Sequence, residues 1–262
     1  MYSGNITRGS TARDGDKLDR GLEAVCAESP ALSVQEGGLT DMCGRYALNR
    51  SPAELKAHFD AANELDLKPR YNIAPSQTVP VVRLDEAGNR VFTLARWGLI
   101  PSWVKDPEEL QHPINAKAET AAIKPMFRHA YRNSRVLIPA DAFYEWMPKN
   151  GKQPYLIRLR DGAPMGMGGL LEHWHGPEGD VTTFTILTTE ANSLMAKIHD
   201  RMPVIIKPED YTTWLDTNFT DVIKIQAMAL PYPNRFMEAY PVSRKVNSPK
   251  FDSPDLLNEV QV

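Results

Sequence analysis

The sequence predicts an α+β fold, in which a mainly antiparallel, barrel-like β core is surrounded by helices in a single domain. Short β-rich runs separated by turn residues follow one another from residue 43 onwards, whereas helical patterns are few and short. No repeat and no linker interrupts the sequence of residues 43–262. With 262 residues and 42% hydrophobic content, the chain can bury a substantial core.

Residues 1–42 differ in composition from the rest of the chain. They are rich in Gly, Ser, Thr, Asp and Glu and lack sustained hydrophobic periodicity, which favours disorder. We interpret them either as a removed propeptide or as the product of an upstream start codon, with translation of the functional protein beginning at Met42. Residues 43–262 are then the catalytic domain.

Charge gives no general support for nucleic-acid binding. The formal net charge is -3, and residues 1–42 hold four basic and seven acidic side chains. This leaves 26 of each kind for residues 43–262. Binding to nucleic acid would therefore require a local patch of basic groups.

The first elements of the domain are a strand and a helix. Residues 43–48 predict a strand, and Ser51, Pro52 and Glu54 have the spacing of an N-cap, a proline in the first turn and a capping box. The helix is expected to end near Ala62 and to bury Leu55 and Phe59. Residues 68–75 (KPRYNIAP) are bounded by prolines, which predicts a loop and not a paired strand.

A β-hairpin is predicted next, because two β-rich runs at residues 78–84 and 90–97 are separated by the turn-forming sequence DEAGN. Residues 114–119 alternate apolar and polar side chains. An extended backbone there would present Asn115, Lys117 and Glu119 on one face.

The remainder predicts further strands and two helices. Thr189 is expected to cap a helix that runs through Lys197 and buries Leu194, Met195 and Ile198, and Pro208 suits the first turn of a helix to Leu215. The predicted strands are residues 136–139, 143–147, 155–160, 164–171 and 183–188.

Several classes of protein lack sequence support. Cys26 and Cys43 lie in very different regions, which argues against a disulfide framework and favours a reducing compartment. No run approaches 18 apolar residues and no signal-like segment begins the chain, so we expect a cytoplasmic protein, nucleoid-associated if bacterial, with no membrane contact. The histidines and cysteines lack zinc-ligand spacing, and no dinucleotide, P-loop or serine-hydrolase motif is present. We expect neither a metal nor a cofactor.

Cys43 has special chemistry if it becomes the N-terminal residue. It would then carry an α-amine and a thiol on adjacent carbons, and this pair reacts with an aldehyde to give an imine and then a thiazolidine ring. An α-amine titrates near about 7.7–8.0, against about 10.4 for lysine, so it is the better imine former at neutral pH. An internal cysteine is more often a small buried apolar residue.

Glu145 and His199 are the candidate acid and base groups. Glu145 lies in FYEWM, a run that is apolar on both strand faces, so its carboxylate needs a partner or a proton. His199 lies at the end of a predicted helix, where carbonyl groups favour the protonated ring. Either residue could instead have a purely structural role.

Six blocks together resemble the SRAP family, the SOS-response-associated peptidases or abasic-site-processing proteins. The resemblance extends from Met42 to about Arg244. Its blocks are residues 42–46 (MCGRY), 70–75 (RYNIAP), 97–101 (WGLIP), 114–120 (INAKAET), 143–146 (FYEW) and 198–203 (IHDRMP).

The resemblance implies a sensor of abasic sites in single-stranded DNA, which caps them in the DNA damage response by a covalent thiazolidine crosslink. Cys43 would be the nucleophile, with Asn115 and Glu145 positioning and deprotonating the amine. His199 would donate protons for sugar-ring opening and imine formation and would assist crosslink reversal. The implied DNA contacts are Arg45, Lys117 and Arg201 to phosphates, Asn72, Pro75 and Trp97 in a loop that wedges and stacks near the lesion, and Met126 and Phe127 along the same groove.

Two features depart from the family pattern. The family places cysteine directly after the initiator methionine, whereas 41 residues precede Met42 here. Lys117 stands where arginine is frequent, so a phosphate contact there loses the bidentate geometry of a guanidinium.

Two other functions compete with this one. A thiol peptidase could use Cys43, His199 and Glu145 on peptide bonds, including its own bond after Met42. A non-covalent single-strand binding module would need only the basic and aromatic residues. Abasic DNA distinguishes the three, because only the first function gives an adduct that resists denaturation.

Overall fold

The computed structural model describes Met1 and residues 43–148, 152–177 and 179–262. The predictions made for residues 2–42 lie outside these ranges. The strands in the described part are β1 (Arg45–Leu48), β2 (Arg70–Ile73), β3 (Thr78–Leu84), β4 (Arg90–Trp97), β5 (Asn115–Lys117), β6 (Arg135–Ala140), β7 (Ala142–Met147), β8 (Gln153–Leu159), β9 (Met165–Gly176), β10 (Gly179–Glu190), β11 (Arg201–Pro203), β12 (Ile205–Ile206) and β13 (Met237–Pro241). The α-helices are α1 (Pro52–Phe59), α2 (Ala118–Ala121), α3 (Arg128–Asn133), α4 (Tyr211–Leu215) and α5 (Val222–Met228).

Five strands close into a barrel. The predicted hairpin of β3 and β4 is confirmed, and β3 pairs onward with β6, β6 with β9 and β9 with β10, all antiparallel. The barrel closes because β10 pairs with β4 in the parallel sense, with Thr183 opposite Arg96. The predicted α+β class with a barrel-like core is therefore confirmed.

A second sheet packs on the barrel, and its strand β7 carries Glu145. Its strand order is β13-β8-β7-β1-β2, and every neighbouring pair is antiparallel. Tyr46 and Phe143 of this sheet belong to the same buried apolar cluster as Val81 and Phe184 of the barrel. The two sheets thus share one hydrophobic core, as the single-domain prediction requires.

Helix α1 forms where the capping residues predict it. The Ser51 side chain accepts a hydrogen bond from the Glu54 backbone N–H, and the Glu54 carboxylate accepts one from the Ser51 N–H at 3.0 Å. Leu55 and Phe59 are buried as predicted. The helix ends at Phe59, earlier than the expected Ala62, because Asp60 adopts a left-handed conformation with φ of 52°.

The prediction of a loop at residues 68–75 is wrong for its centre. Arg70–Ile73 form strand β2, which pairs with β1 so that Tyr46 lies opposite Ile73. Pro69 and Pro75 lie just outside these four residues, and β2 is an edge strand. The prolines therefore bound the strand without removing a ladder hydrogen bond.

Two further expectations about local structure are wrong in part. Residues 114–119 are extended only to Lys117, and Glu119 lies in helix α2 instead of on the same extended face. Thr189 does not cap a helix, because β10 continues to Glu190 and pairs with β11. Only a 3₁₀ turn, Met195–Lys197, remains of that predicted helix, whereas the helix predicted after Pro208 is confirmed as a 3₁₀ turn followed by α4.

Candidate functional site

Strand pairing places Glu145 against the backbone of Cys43. The antiparallel register pairs Arg45 of β1 with Tyr144 of β7, so the residue after Tyr144 lies beside the chain that leads into β1. The backbone N–H of Cys43 donates a hydrogen bond to Glu145 Oε1 at 2.5 Å. Both side chains are buried, with Glu145 only 1% exposed. The nitrogen that would become the α-amine therefore contacts a buried carboxylate.

The thiol of Cys43 is poorly disposed to ionise. Burial, and then the negative charge of Glu145, raise the pKa of the Cys43 thiol well above its usual value. A thiolate is the form in which cysteine acts as a nucleophile at a carbonyl carbon. In this arrangement the thiol stays protonated near neutral pH.

The backbone of Cys43 is strained. Its φ is 31°, in the left-handed region that residues other than glycine seldom occupy. Such conformations cost on the order of 1–3 kcal/mol and persist only where the surrounding structure imposes them. In this conformation the Cys43 N–H donates to Glu145 Oε1.

Asn115 lies where a long loop rejoins the barrel. It is half-buried at the start of β5, opposite Ile186 of β10. The indole N–H of Trp97 donates to the carbonyl oxygen of Ile114 at 2.9 Å, and the Leu99 N–H donates to that of Pro113 at 3.1 Å. Both ends of the loop between β4 and β5 are thus tied together next to Asn115.

His199 is held between a backbone donor and a carboxylate. Its side chain is 13% exposed, and its Nδ1 accepts a hydrogen bond from the backbone N–H of Arg201 at 3.0 Å. The neutral ring in this arrangement carries its proton on Nε2. Asp200 Oδ1 also lies 3.0 Å from Nδ1.

Arg201 forms an ion pair with Glu119. Its two terminal nitrogens donate to the two Glu119 carboxylate oxygens at 2.7 and 2.8 Å, and one also donates to the carbonyl oxygen of Thr188. Although burial raises the pKa of Glu119, the hydrogen bonds from Arg201 outweigh it and hold that pKa below its usual value. With 9% exposure, Arg201 links β11 to α2, a geometry that favours a structural role over a phosphate contact.

Two of the predicted DNA contacts are incompatible with their positions. Trp97 is fully buried, stacked on Phe184 with ring centroids 6.2 Å apart, so it cannot stack on a base. Asn72 is also fully buried, and its amide nitrogen donates to three backbone carbonyls of the C-terminal segment, those of Val246, Ser248 and Phe251. The predicted roles of Trp97 and Asn72 in DNA binding are corrected to roles in packing.

The other predicted DNA contacts differ in accessibility. Lys117 is exposed on β5, and Pro75 and Met126 are half-buried. Phe127 is 7% exposed. Arg45 is half-buried and donates to the carbonyl oxygen of Val246 at 2.7 Å, which ties it to the C-terminal segment.

Sequence reasoning missed Trp103 and the partner of Arg201. Trp103 follows Trp97 by six residues and is 60% exposed. The signal was present, because the sequence WGLIPSW contains two tryptophans, but no pattern showed which was buried. Glu119 was recognised as a polar residue of its block without a role.

No metal centre is evident among the described residues, which bring together no group of three His, Cys, Asp or Glu side chains able to hold an ion. Nor does any helix in this part of the chain have the length and apolarity needed to cross a membrane.

The chain matches the family described as SOS response associated peptidase (SRAP) over residues 42–249. It belongs to the SRAP family. The resemblance drawn from the six blocks is thereby confirmed.

Similar proteins support this assignment. The abasic site processing protein YoqW of Bacillus subtilis is 44% identical over 223 residues, covering 82% of this chain and 99% of its own. The abasic site processing protein HMCES of Gallus gallus is 31% identical over 266 residues, covering 84% and 79%. A solved structure from Bacteroides thetaiotaomicron has a TM-score of 0.76 and 25% identity, covering 84% of this chain and all of the other. This SRAP-family protein is therefore similar in sequence to YoqW and HMCES and in fold to the Bacteroides protein.

The ion pair between Glu119 and Arg201 should make stability depend on pH. Because folding lowers the pKa of Glu119, its contribution is present above the unfolded value of about 4.3 and is lost as pH falls through the folded value. We expect the free energy of unfolding to differ more between wild type and Glu119→Gln at pH 7 than at about pH 3. Urea denaturation at both pH values measures this, and Glu64→Gln, which removes an exposed carboxylate, is the control. If the free energies of unfolding of wild type and Glu119→Gln differed equally at both pH values, folding would not lower the pKa of Glu119 and the stabilising ion pair with Arg201 would be contradicted.

Proposed function

We propose that this SRAP-family protein processes abasic sites in single-stranded DNA, and that it does so by forming a thiazolidine between the lesion and an N-terminal Cys43. The observation that carries the proposal is the 2.5 Å contact between the Cys43 nitrogen and the buried carboxylate of Glu145. The relatives named as abasic site processing proteins support the choice of lesion. A ring-opened abasic sugar is an aldehyde, the partner that an aminothiol requires.

The proposal requires removal of residues 1–42, so that residues 43–262 are the catalytic domain. Once the peptide bond before Cys43 is gone, its nitrogen is an α-ammonium group beside Glu145. Glu145 takes a proton from this group, and the neutral amine attacks the aldehyde carbon of the lesion. Asn115 would help to orient the amine.

The later steps use His199 and the thiol. Loss of water from the carbinolamine needs a proton donor, for which the Nε2–H of His199 is suited. The sulfur of Cys43 then bonds to the imine carbon, and the thiol proton moves to the nitrogen. The amine acts first, so the raised pKa of the thiol does not prevent the reaction.

A second candidate is self-directed peptidase activity, in which the Cys43 sulfur attacks the carbonyl carbon of Met42, the peptide C–N bond breaks to leave a free amine and a thioester, and water then hydrolyses the thioester to release residues 1–42. The left-handed φ of Cys43 favours it, because strain at the processing point lowers the barrier to cleavage. The raised pKa of the thiol disfavours it, since the nucleophile must be a thiolate. We therefore place this activity second to crosslinking.

For the DNA path we propose Trp103 in place of Trp97. Its exposed indole lies in the loop whose two ends are joined next to Asn115. Lys117, exposed on β5, follows Asn115 and can meet a phosphate. A base next to the lesion would stack on the indole, in the manner usual for single-strand binding proteins.

Substitutions at Cys43 test the aminothiol mechanism. We expect protein that begins at Cys43 to give an adduct with abasic single-stranded DNA that resists denaturation. Cys43→Ala should give no such adduct, whereas Cys43→Ser should give an imine that borohydride traps, because its amine remains. Intact mass and denaturing gels measure this. Equal rates for protein that retains residues 1–42, with its N-terminus confirmed by mass, would contradict the mechanism.

Glu145→Gln and His199→Ala should slow crosslinking without weakening DNA binding. Glutamine retains an acceptor oxygen but cannot take the amine proton, and alanine removes the proton donor. Proton transfer contributes about 10²- to 10⁴-fold to rate, which is the loss we expect. Single-turnover kinetics with saturating abasic DNA measure it. Rates within about twofold of wild type for both variants would leave these residues with structural roles only.

Trp103→Ala should weaken DNA binding, whereas Trp97→Ala should lower the stability of the fold. Base stacking is worth about 1–3 kcal/mol, so Trp103→Ala should weaken binding of undamaged single-stranded DNA by that amount and leave thermal stability unchanged. Trp97→Ala should instead lower the free energy of unfolding by about 3–5 kcal/mol, since it empties a core position. Fluorescence anisotropy and urea denaturation measure the two effects. Unchanged DNA affinity in Trp103→Ala would remove this residue from the path.

A further inference from the structure

The exposed Trp103 sits at the corner of a tight turn. The backbone N–H of Val104 donates to the carbonyl oxygen of Pro101 at 3.1 Å, so Ser102 and Trp103 are the two central residues of a β-turn. An exposed side chain at such a corner makes few packing contacts that could fix its orientation. Its orientation depends on how the turn backbone is held.

Two anchors for this turn come from facing positions of the barrel wall. The N–H of Ile100 donates to the hydroxyl of Thr183 at 2.9 Å, and the N–H of Ser102 donates to Glu172 Oε2 at 3.3 Å. Thr183 on β10 and Glu172 on β9 lie directly opposite each other in the antiparallel ladder. One pair of facing residues in the β9–β10 ladder therefore binds the backbone of both Ile100 and Ser102.

A third anchor lies two residues further along β9. The indole N–H of Trp174 donates to the carbonyl oxygen of Val104 at 2.7 Å, and Trp174 is 8% exposed. Glu172 is itself 4% exposed, and its Oε1 lies 3.3 Å from His129 Nδ1. Burying a carboxylate costs free energy unless polar partners compensate, and here the partners are the turn backbone and His129.

We propose that Glu172 and Trp174 are positioning residues, which hold the turn so that Trp103 is placed to receive an unpaired base before DNA arrives. We call these two contacts, Ser102 N–H to Glu172 and Trp174 indole N–H to the Val104 carbonyl oxygen, the clamp. The inference rests on the proposed function for the role of Trp103, but the clamp itself lies within the chain. Fixing the turn in advance reduces the ordering cost of binding. Loss of either clamp side chain should therefore weaken DNA binding through Trp103 alone.

A double-mutant cycle tests the clamp. Glu172→Ala should weaken binding of an undamaged single-stranded oligonucleotide by about three- to tenfold. The same substitution in a Trp103→Ala background should have almost no effect, because the residue that it positions is absent. Glu172→Gln retains an oxygen for the Ser102 N–H and should bind like wild type. Trp174→Phe, which keeps the ring and loses the N–H donor, is a second route if Glu172→Ala folds poorly.

Two further measurements separate positioning from folding and from chemistry. Acrylamide quenching of Trp103, obtained by comparing each variant with its Trp103→Phe partner, should rise in Glu172→Ala. Reaction of Cys43 with formaldehyde should be unchanged, since no DNA is involved. Equal effects of Glu172→Ala with and without Trp103, or unchanged quenching, would overturn the clamp. If the double-mutant cycle gives the expected result but protein that begins at Cys43 forms no crosslink with abasic DNA, the proposed function is refuted and the clamp is still supported.

Discussion

The structure of the site depends on one hydrogen bond, from the backbone nitrogen of Cys43 to the buried carboxylate of Glu145. A carboxylate in this apolar sheet needs a partner, and the pairing of β1 with β7 brings the Cys43 nitrogen to it. The same contact has two consequences. It places a proton acceptor beside the proposed amine, and its negative charge adds to burial, the larger cause, in raising the pKa of the thiol.

Strand β10 or its connection to β11 brings together four of the other candidate residues, Asn115, Lys117, His199 and Arg201. It pairs with β5 on one edge, opposite Asn115 and Lys117, and with β11 at its end, opposite Arg201. The carbonyl oxygen of Thr188 accepts from Arg201, which in turn binds Glu119 of α2. His199 lies in the short connection between these strands. The rigid wall that closes the barrel is therefore also the scaffold of the site, whereas the loop that carries Trp103 is attached to this wall by side chains.

The order of events in the proposed reaction follows from the electrostatics. A buried thiol with a raised pKa is a poor first nucleophile, and an amine beside a carboxylate is a good one. In the full 262-residue chain the thiol is present, but the nitrogen of Cys43 is still an amide. Removal of residues 1–42 would convert this amide nitrogen into the proposed amine.

The sequence by itself determined the features that depend on neighbours along the chain. The capping box of α1, the β3–β4 hairpin, the barrel-like α+β class and the family all follow from local patterns and from the order of the six blocks. Tertiary structure alone decided which of two nearby tryptophans is buried, why Asn72 is a packing residue, and that residues 70–73 and 189–190 pair as strands. The physical reason is that burial and strand pairing depend on partners distant in sequence. Trp97 is buried by Tyr46 and Phe184, whereas Trp103 lies at the corner of a surface turn. The sequence WGLIPSW, which holds both tryptophans, does not contain these partners.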